Sequence, residues 1–381
     1  MRNHSSSFDV AIVGGGVIGL AVAWRAAQRG LRVVVLERDE PGHATSWVGA
    51  GMLAPISEAV MAEQRLLRLG LASAAMYPQF VEELSEAAMQ DAGYLRCGTL
   101  LAARDADEAQ WLARELEMRA GLGLRVQRLR ASAARALEPA LAPALRLALE
   151  IPDDHAIDPR KLTAALVRAC ERAGGVVWSR APVNRLVVGG ERITGVTLDS
   201  GEHVGAAQVV VAAGPWSGTL KGIPAEAQVP IHPVKGQILR MHDPAGPGLL
   251  TRVLRMRTGY VVPRGDGRYV LGATMEERGF DTTVTAGPVF ELLRGAIELV
   301  PGIGELVIDE LSAGLRPGSA DNAPVIGTGA IPGLFWAAGH YRHGILLAPA
   351  TAEILVRTLL GEEPREHAED FAPTRFALVG A

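Results

Sequence analysis

A chain of 381 residues, 48% of them hydrophobic, is long enough for two structural domains with sizeable cores. Its formal net charge is −4 and it carries no block of Lys or Arg, which argues against a nucleic-acid partner. The two cysteines, Cys97 and Cys170, are too few for a disulfide framework and lack metal-ligand spacing, so they read as inert thiols of a cytoplasmic protein.

Residues 1–8 are short and polar, without the apolar core of a signal peptide. From Asp9 the sequence reads as a buried parallel strand, a glycine turn, a helix over Val17 to Arg29 capped by Gly30, and a second strand from Val33 ending in Glu37. Gly14 permits the tight turn, Gly16 lets the backbone approach a pyrophosphate, and Gly19 lets the helix pack on the strand. The helix start favours phosphate charge, and Glu37 stands where a carboxylate accepts hydrogen bonds from ribose hydroxyls. The unit is therefore expected to grip a dinucleotide.

Gly42 to Pro55 reads as a small-residue loop with no period, and Ala59 to Ala92 as a helix from leucines and methionines three and four apart. Tyr94 to Ala103 is expected as a strand, and Asp107 to Ala120 and Ser132 to Leu137 as helices whose arginines sit on solvated faces. Asp158-Pro159 pairs an N-cap carboxylate with a first-turn proline, starting a helix to about Ala173 before a strand at Val176 to Trp178. Val183 to Val188 and Ile193 to Leu198 form a hairpin about Gly189-Gly190-Glu191. Val204 to Val211 ends apolar on both faces and should return to the central sheet. Gln228 to His242, Tyr260 to Arg264 and Tyr269 to Ala273 suggest a mostly antiparallel sheet, followed by a helix at Pro288 to Leu299 and a strand at Leu306 to Leu311. Gly333 to Gly339 is a strand into a glycine turn. The helix after it, Ile345 to Leu360, is too broken by polar residues and Pro349 to span a membrane.

Nucleotide-type elements thus recur at the start, middle and end of the chain. Small, glycine-rich strand ends come back at Ala212-Ala213-Gly214-Pro215-Trp216 and at Ala337-Ala338-Gly339-His340. Ordinary tight turns are the plain reading of each alone. A long ligand such as FAD, running from the first turn to the last, accounts for all three.

The loop Thr45 to Pro55, ending Gly-Ala-Gly-Met-Leu-Ala-Pro, resembles the D-amino acid oxidase family of flavoproteins, and within it the glycine oxidases of the thiamine pathway. So do Gly259 to Arg264, Gly272 to Met275, Ala313 to Pro317 and, most specifically, Ala338 to Thr351. The resemblance implies an α/β fold: a discontinuous FAD-binding Rossmann-like (βαβ) domain with an inserted antiparallel-sheet α+β substrate domain. The expected division is 1–90, 152–219 and 312–381 for FAD, and 91–151 and 220–311 for substrate.

It also implies FAD held without a covalent bond, with Gly14, Gly16, Val17, Ile18 and Gly19 at the glycine turn. Glu37 should hold the ribose with Arg38 alongside, Thr45 and Ser46 should approach the pyrophosphate, and Val183 should meet the adenine through its backbone. Ala50, Gly51 and Met52 should lie along the flavin, and His340, Tyr341, Arg342, His343, Gly344, Ile345 and Leu346 should wrap the isoalloxazine. The helix that follows should aim its N-terminus at the flavin O2 side, where reduced flavin carries negative charge. Two positions depart from the pattern. His343 stands where relatives commonly carry asparagine, and bulky Trp47, in a loop of usually small residues, would narrow or reshape the flavin edge.

By the same resemblance Arg316 pairs with the substrate carboxylate, Tyr260 donates its hydroxyl to it, Arg342 lies beside them, and Met275 borders the substrate. The plain readings are surface charge for the arginines and sheet core for Tyr260 and Met275. Guanidinium suits the role because it grips a carboxylate bidentately. No general base is assigned: His155, His232, His340 and His343 read as structural or surface groups, and direct hydride departure needs only orientation. The implied reaction is oxidative deamination of glycine, or another small amine such as sarcosine or D-alanine, with molecular oxygen as acceptor. Glyoxylate, ammonia and hydrogen peroxide are the products, and the glycine imine supplies thiazole synthesis. A sarcosine or D-amino acid oxidase, a dehydrogenase, and a flavoprotein subunit active only within a complex remain alternatives. A homotetramer or homodimer is the implied assembly.

Overall fold

The computed structural model describes residues 7–363 and 367–376. Most of the polar N-terminus read above as lacking a signal peptide lies outside them. Strand Phe8–Val13 pairs in parallel with Val33–Leu36 on one side and with His203–Val211 on the other. Val176–Trp178 extends the sheet beyond Val33–Leu36, and Leu334–Ala338 beyond the end of His203–Val211. The hairpin Val183–Gly189/Arg192–Leu198 joins the start of His203–Val211 in antiparallel fashion. These strands alternate between two buried faces. Val10, Ile12, Val33, Val35 and Val210 pack under helices Val17–Gln28, Gln64–Ala88, Pro159–Arg172 and Gly344–Leu359, while Ala11, Val13, Val34, Leu36, Val209 and Val211 meet the hairpin's Leu186, Ile193 and Val196. Burial on both faces is why the strands are continuous runs of Val, Ile and Ala.

A second eight-stranded sheet is antiparallel apart from one parallel pair, Val253–Met256 with Thr99–Ala103. Its long strands Ile231–His242 and Val307–Ser319 pair along their whole length, with Val307–Ser319 at the sheet edge. A three-stranded sheet joins Met52–Leu53, His155–Ile157 and Tyr94–Leu95, with His155–Ile157 in its centre. Among the described residues no helix is long and apolar enough to cross a membrane.

Several expected elements are corrected. Gly42 to Pro55 is not a featureless loop: it holds a helical turn, Thr45–Val48, and strand Met52–Leu53. That strand's partner is about a hundred residues away at His155–Ile157, so no local period marks it. The helix expected over Ala59 to Ala92 is Gln64–Ala88; it continues through Pro78 and ends at left-handed Met89. Tyr94 to Ala103 is two strands in different sheets, parted at Arg96-Cys97-Gly98. The strand expected to stop at Leu311 runs on to Ser319, through the boundary expected at 312, so Arg316 lies within a strand instead of after one. Gly314 and Pro317 look like breakers, but an edge strand tolerates a proline. Strands Gln127–Arg130, Leu147–Ile151, Val253–Met256 and Val325–Thr328 had no counterpart in the reading above. The Asp158 cap stands as read: its carboxylate accepts from the Arg160 amide at 3.0 Å.

Candidate active site

One extended cavity of about 420 Å³ runs between the two sheets. At one end its wall is the opening turn, Gly14, Gly16, Val17 and Ile18, together with Glu37, Arg38 and Val183. At the other are Tyr260, Arg316, His340, Tyr341, Arg342, Gly344 and Ile345, with Thr45, Ser46, Ala50, Gly51 and Met52 between. Residues from the start, middle and end of the chain therefore meet as expected. Gly19, Met275, His343 and Leu346 are not on the wall.

Gly19 works behind it. A Cβ there would lie 2.0 Å from the Gly14 carbonyl oxygen, so only glycine lets the first helix seat against the turn. Glu37 braces the same turn: it accepts from the Gly15 amide at 2.7 Å and from the Asp39 amide at 3.0 Å. The Ser46 hydroxyl accepts from the Val17 amide at 3.0 Å, and the Thr45 hydroxyl donates to the Leu315 carbonyl at 2.7 Å. Arg38 stacks over Trp216, the last residue of the second small-residue strand end, with its guanidinium 3.6 Å from the ring centroid.

The middle of the wall is held by arginines from behind. Arg240 donates to the Trp47 carbonyl at 2.7 Å, Arg264 to the Ala50 carbonyl at 2.8 Å, and Arg160 to the Trp47 carbonyl at 3.3 Å. Burial pushes Arg240 and Arg264 each down to about 10. Trp47 does not narrow the flavin edge. Its ring stacks on His43 at 4.1 Å, lies under the Arg160 guanidinium, and is absent from the cavity wall.

At the far end, Arg316 Nη1 donates to the carbonyls of Thr274 at 3.0 Å and Lys235 at 3.3 Å. No carbonyl or carboxylate among the described residues accepts from its Nε or Nη2, which leaves donors for a ligand. Tyr260 is half-buried beside it; desolvation raises its hydroxyl pKa against the opposing pull of Arg316. Arg342 sits 3.9 Å from Glu63, and its buried Nε has no hydrogen-bond partner among the described residues. Met275 is 61% exposed and its sulfur accepts from the Tyr341 hydroxyl at 3.0 Å, so it stands outside the mouth. His340 is buried against the Thr351 hydroxyl at 2.9 Å, and burial drops its pKa to about 3. His343 turns away from the main cavity toward Glu58, with Nδ1 3.6 Å from the carboxylate, and burial holds it neutral near pH 7.

Sequence reasoning missed Glu58 and Gly236, both on the wall. Neither carries a local signal: one is a lone acid after a glycine-rich loop, the other a glycine inside a strand.

The cavity suits FAD on two structural counts. Helices Val17–Gln28 and Gly344–Leu359 both start on its wall, and neither N-cap residue, Gly16 or His343, caps its helix with a side chain, although the Ser46 hydroxyl meets the Val17 amide. Uncapped helix starts offer amide donors and positive dipole ends, one for a pyrophosphate and one for an anionic flavin edge.

Residues 9–358 match the DAO family, described as FAD dependent oxidoreductases. The chain is 37% identical over 369 residues to the glycine oxidase of Geobacillus kaustophilus, covering 96% of each. It is 35% identical over 379 residues to the bifunctional protein ThiO/ThiG of Synechocystis sp., covering 97% of this chain and 54% of that one, so it spans about half that relative's length. The crystal structure of the Geobacillus kaustophilus glycine oxidase superposes with a TM-score of 0.90 at 34% identity, over 97% of this chain and 99% of that one. The cofactor is FAD, and the chain belongs to the DAO family of FAD-dependent oxidoreductases.

Proposed function

We propose that this chain oxidatively deaminates glycine and other small amines or amino acids, such as sarcosine and D-alanine, with molecular oxygen as acceptor. The observation that carries this reading is the grouping of Arg316, Tyr260 and Arg342 at the end of the FAD cavity opposite the glycine turn. Similarity to the Geobacillus kaustophilus glycine oxidase supports it. The turn at Gly14 to Ile18, with Ser46, would hold the pyrophosphate, and Glu37 the ribose. The loop from Ala50 to Met52 and the helix start at Gly344 would flank the flavin. When bound, FAD would supply the hydride acceptor, with molecular oxygen as the final oxidant and hydrogen peroxide as its product. The Nε and Nη2 donors of Arg316, taken by no carbonyl or carboxylate among the described residues, bind the substrate carboxylate, and the Tyr260 hydroxyl beside them adds a third hydrogen bond. Fixing the carboxylate at two residues orients the α-carbon, which is the main demand when no base attacks the C–H bond. The imine product hydrolyses to glyoxylate and ammonia. Similarity to a ThiO/ThiG protein supports its supply to thiamine thiazole synthesis.

The test is a peroxide assay of the purified yellow protein with glycine, sarcosine, D-alanine and D-proline, repeated on Arg316→Ala. Glycine should be oxidised, and the variant should keep its flavin while its KM rises about a hundredfold, the order expected for losing a desolvated carboxylate partner. Unchanged glycine kinetics in the variant would sink the assignment.

A further inference from the structure

The far end of the cavity contains one carboxylate with no role so far. Glu58 lines it beside Tyr260, Arg316 and Arg342, and borders a second, water-sized cavity whose wall includes His343 and Glu63. Its position is built from three sides. Asp154 accepts from the amides of Ile56 at 3.1 Å and Ser57 at 2.6 Å, Arg119 donates to the Ser57 carbonyl at 2.7 Å, and Arg255 donates to the same carbonyl.

The Glu58 side chain is 9% exposed, yet none of the described residues gives its carboxylate a hydrogen bond. Arg255 Nη2 and His343 Nδ1 each stand 3.6 Å away, beyond direct hydrogen bonding. Burial pushes the acid up, but the guanidinium groups of Arg255, Arg342 and Arg316, joined by His343 when it is protonated, outweigh it and hold the acid below the usual carboxylate range. A buried anion without donors is costly, and the cost falls when a ligand brings them. A zwitterionic amino acid brings them. With its carboxylate on Arg316 and Tyr260, it still presents an ammonium group with up to three N–H donors and a positive charge.

We propose that Glu58 is the amine-side anchor of the substrate, a specificity-determining residue that selects amine-bearing carboxylates over amine-free ones. The inference rests on the amino acid oxidase reading above. It divides the work at the far end: Arg316 and Tyr260 recognise the carboxylate common to many small acids, and Glu58 recognises what makes the substrate an amine. An amine-free acid would add a second negative charge to the same pocket and leave Glu58 without a hydrogen-bond donor.

The experiment compares two ligands on holoenzyme: glycine, by the concentration dependence of anaerobic flavin bleaching, and acetate, by perturbation of the flavin spectrum. Glu58→Gln, which keeps the shape and removes the charge, should weaken glycine at least tenfold and leave acetate unchanged or tighter. Glu58→Asp, which keeps the charge, should retain the preference for glycine. Equal weakening of both ligands in Glu58→Gln, or no change in either, overturns the proposal. Wild-type flavin that glycine does not bleach overturns instead the glycine oxidase reading on which it rests.

Discussion

Gly236 lies directly beneath the guanidinium of Arg316. A Cβ at that position would sit 2.5 Å from Nη2, 2.6 Å from Nη1 and 2.7 Å from Cζ. The obstructed atoms are the tip of a flexible side chain, so Gly236→Ala should fold and keep its flavin, but with Arg316 pushed off its two carbonyl anchors. The expected outcome is a glycine KM raised about tenfold or more with a melting temperature close to wild type, measured by peroxide assay and thermal denaturation. At this scale the sequence was legible only where family motifs covered it. Tyr260, Arg316 and Arg342 lie in such motifs and share the far end of the cavity, whereas Met275, also in one, stands outside the mouth. Gly236 and Glu58 act through their distance to side chains that other strands and loops deliver, and such distances leave no trace in local spacing.

Helix Gly344–Leu359 begins on the cavity wall and contains Pro349, which cannot donate to the Ile345 carbonyl one turn earlier. Helix Gln64–Ala88 repairs the gap. Its Tyr77 hydroxyl donates to the Ile345 carbonyl. Its Ser73 hydroxyl donates to the Leu346 carbonyl at 2.6 Å and accepts from the Ala350 amide at 3.3 Å. Tyr77→Phe should leave a buried carbonyl unsatisfied and cost about 1–3 kcal/mol of stability, read as a lower denaturation midpoint. Because Ile345 faces the cavity, the same variant should bind FAD more weakly in a fluorescence titration. The helices and the parallel strands were readable because their apolar periods are local: Val33–Leu36, Pro159–Arg172 and the hairpin at Gly190 lie within a residue or two of expectation. Short strands such as Met52–Leu53 were not, since their pairing is decided by residues a hundred positions away.

At the scale of the molecule, the cavity proposed for FAD has walls from three stretches of chain and both large sheets. A ligand so placed binds the folded state and not the unfolded one. Stripped protein should therefore gain stability with added FAD, by about 2.7 kcal/mol when free FAD is a hundredfold above Kd. The check is a melting temperature that climbs with FAD concentration and stays flat with riboflavin, which lacks the pyrophosphate for the opening turn. The interleaving also has a consequence during synthesis. Strand Phe8–Val13 is synthesised almost two hundred residues ahead of its partner His203–Val211, and Leu334–Ala338 closes the far side of that partner later still. At roughly 5–20 residues per second, the first strand waits about ten to forty seconds with one apolar edge unpaired. Such an edge is a template for mispairing with other nascent chains, so the nascent protein depends on being shielded over that interval.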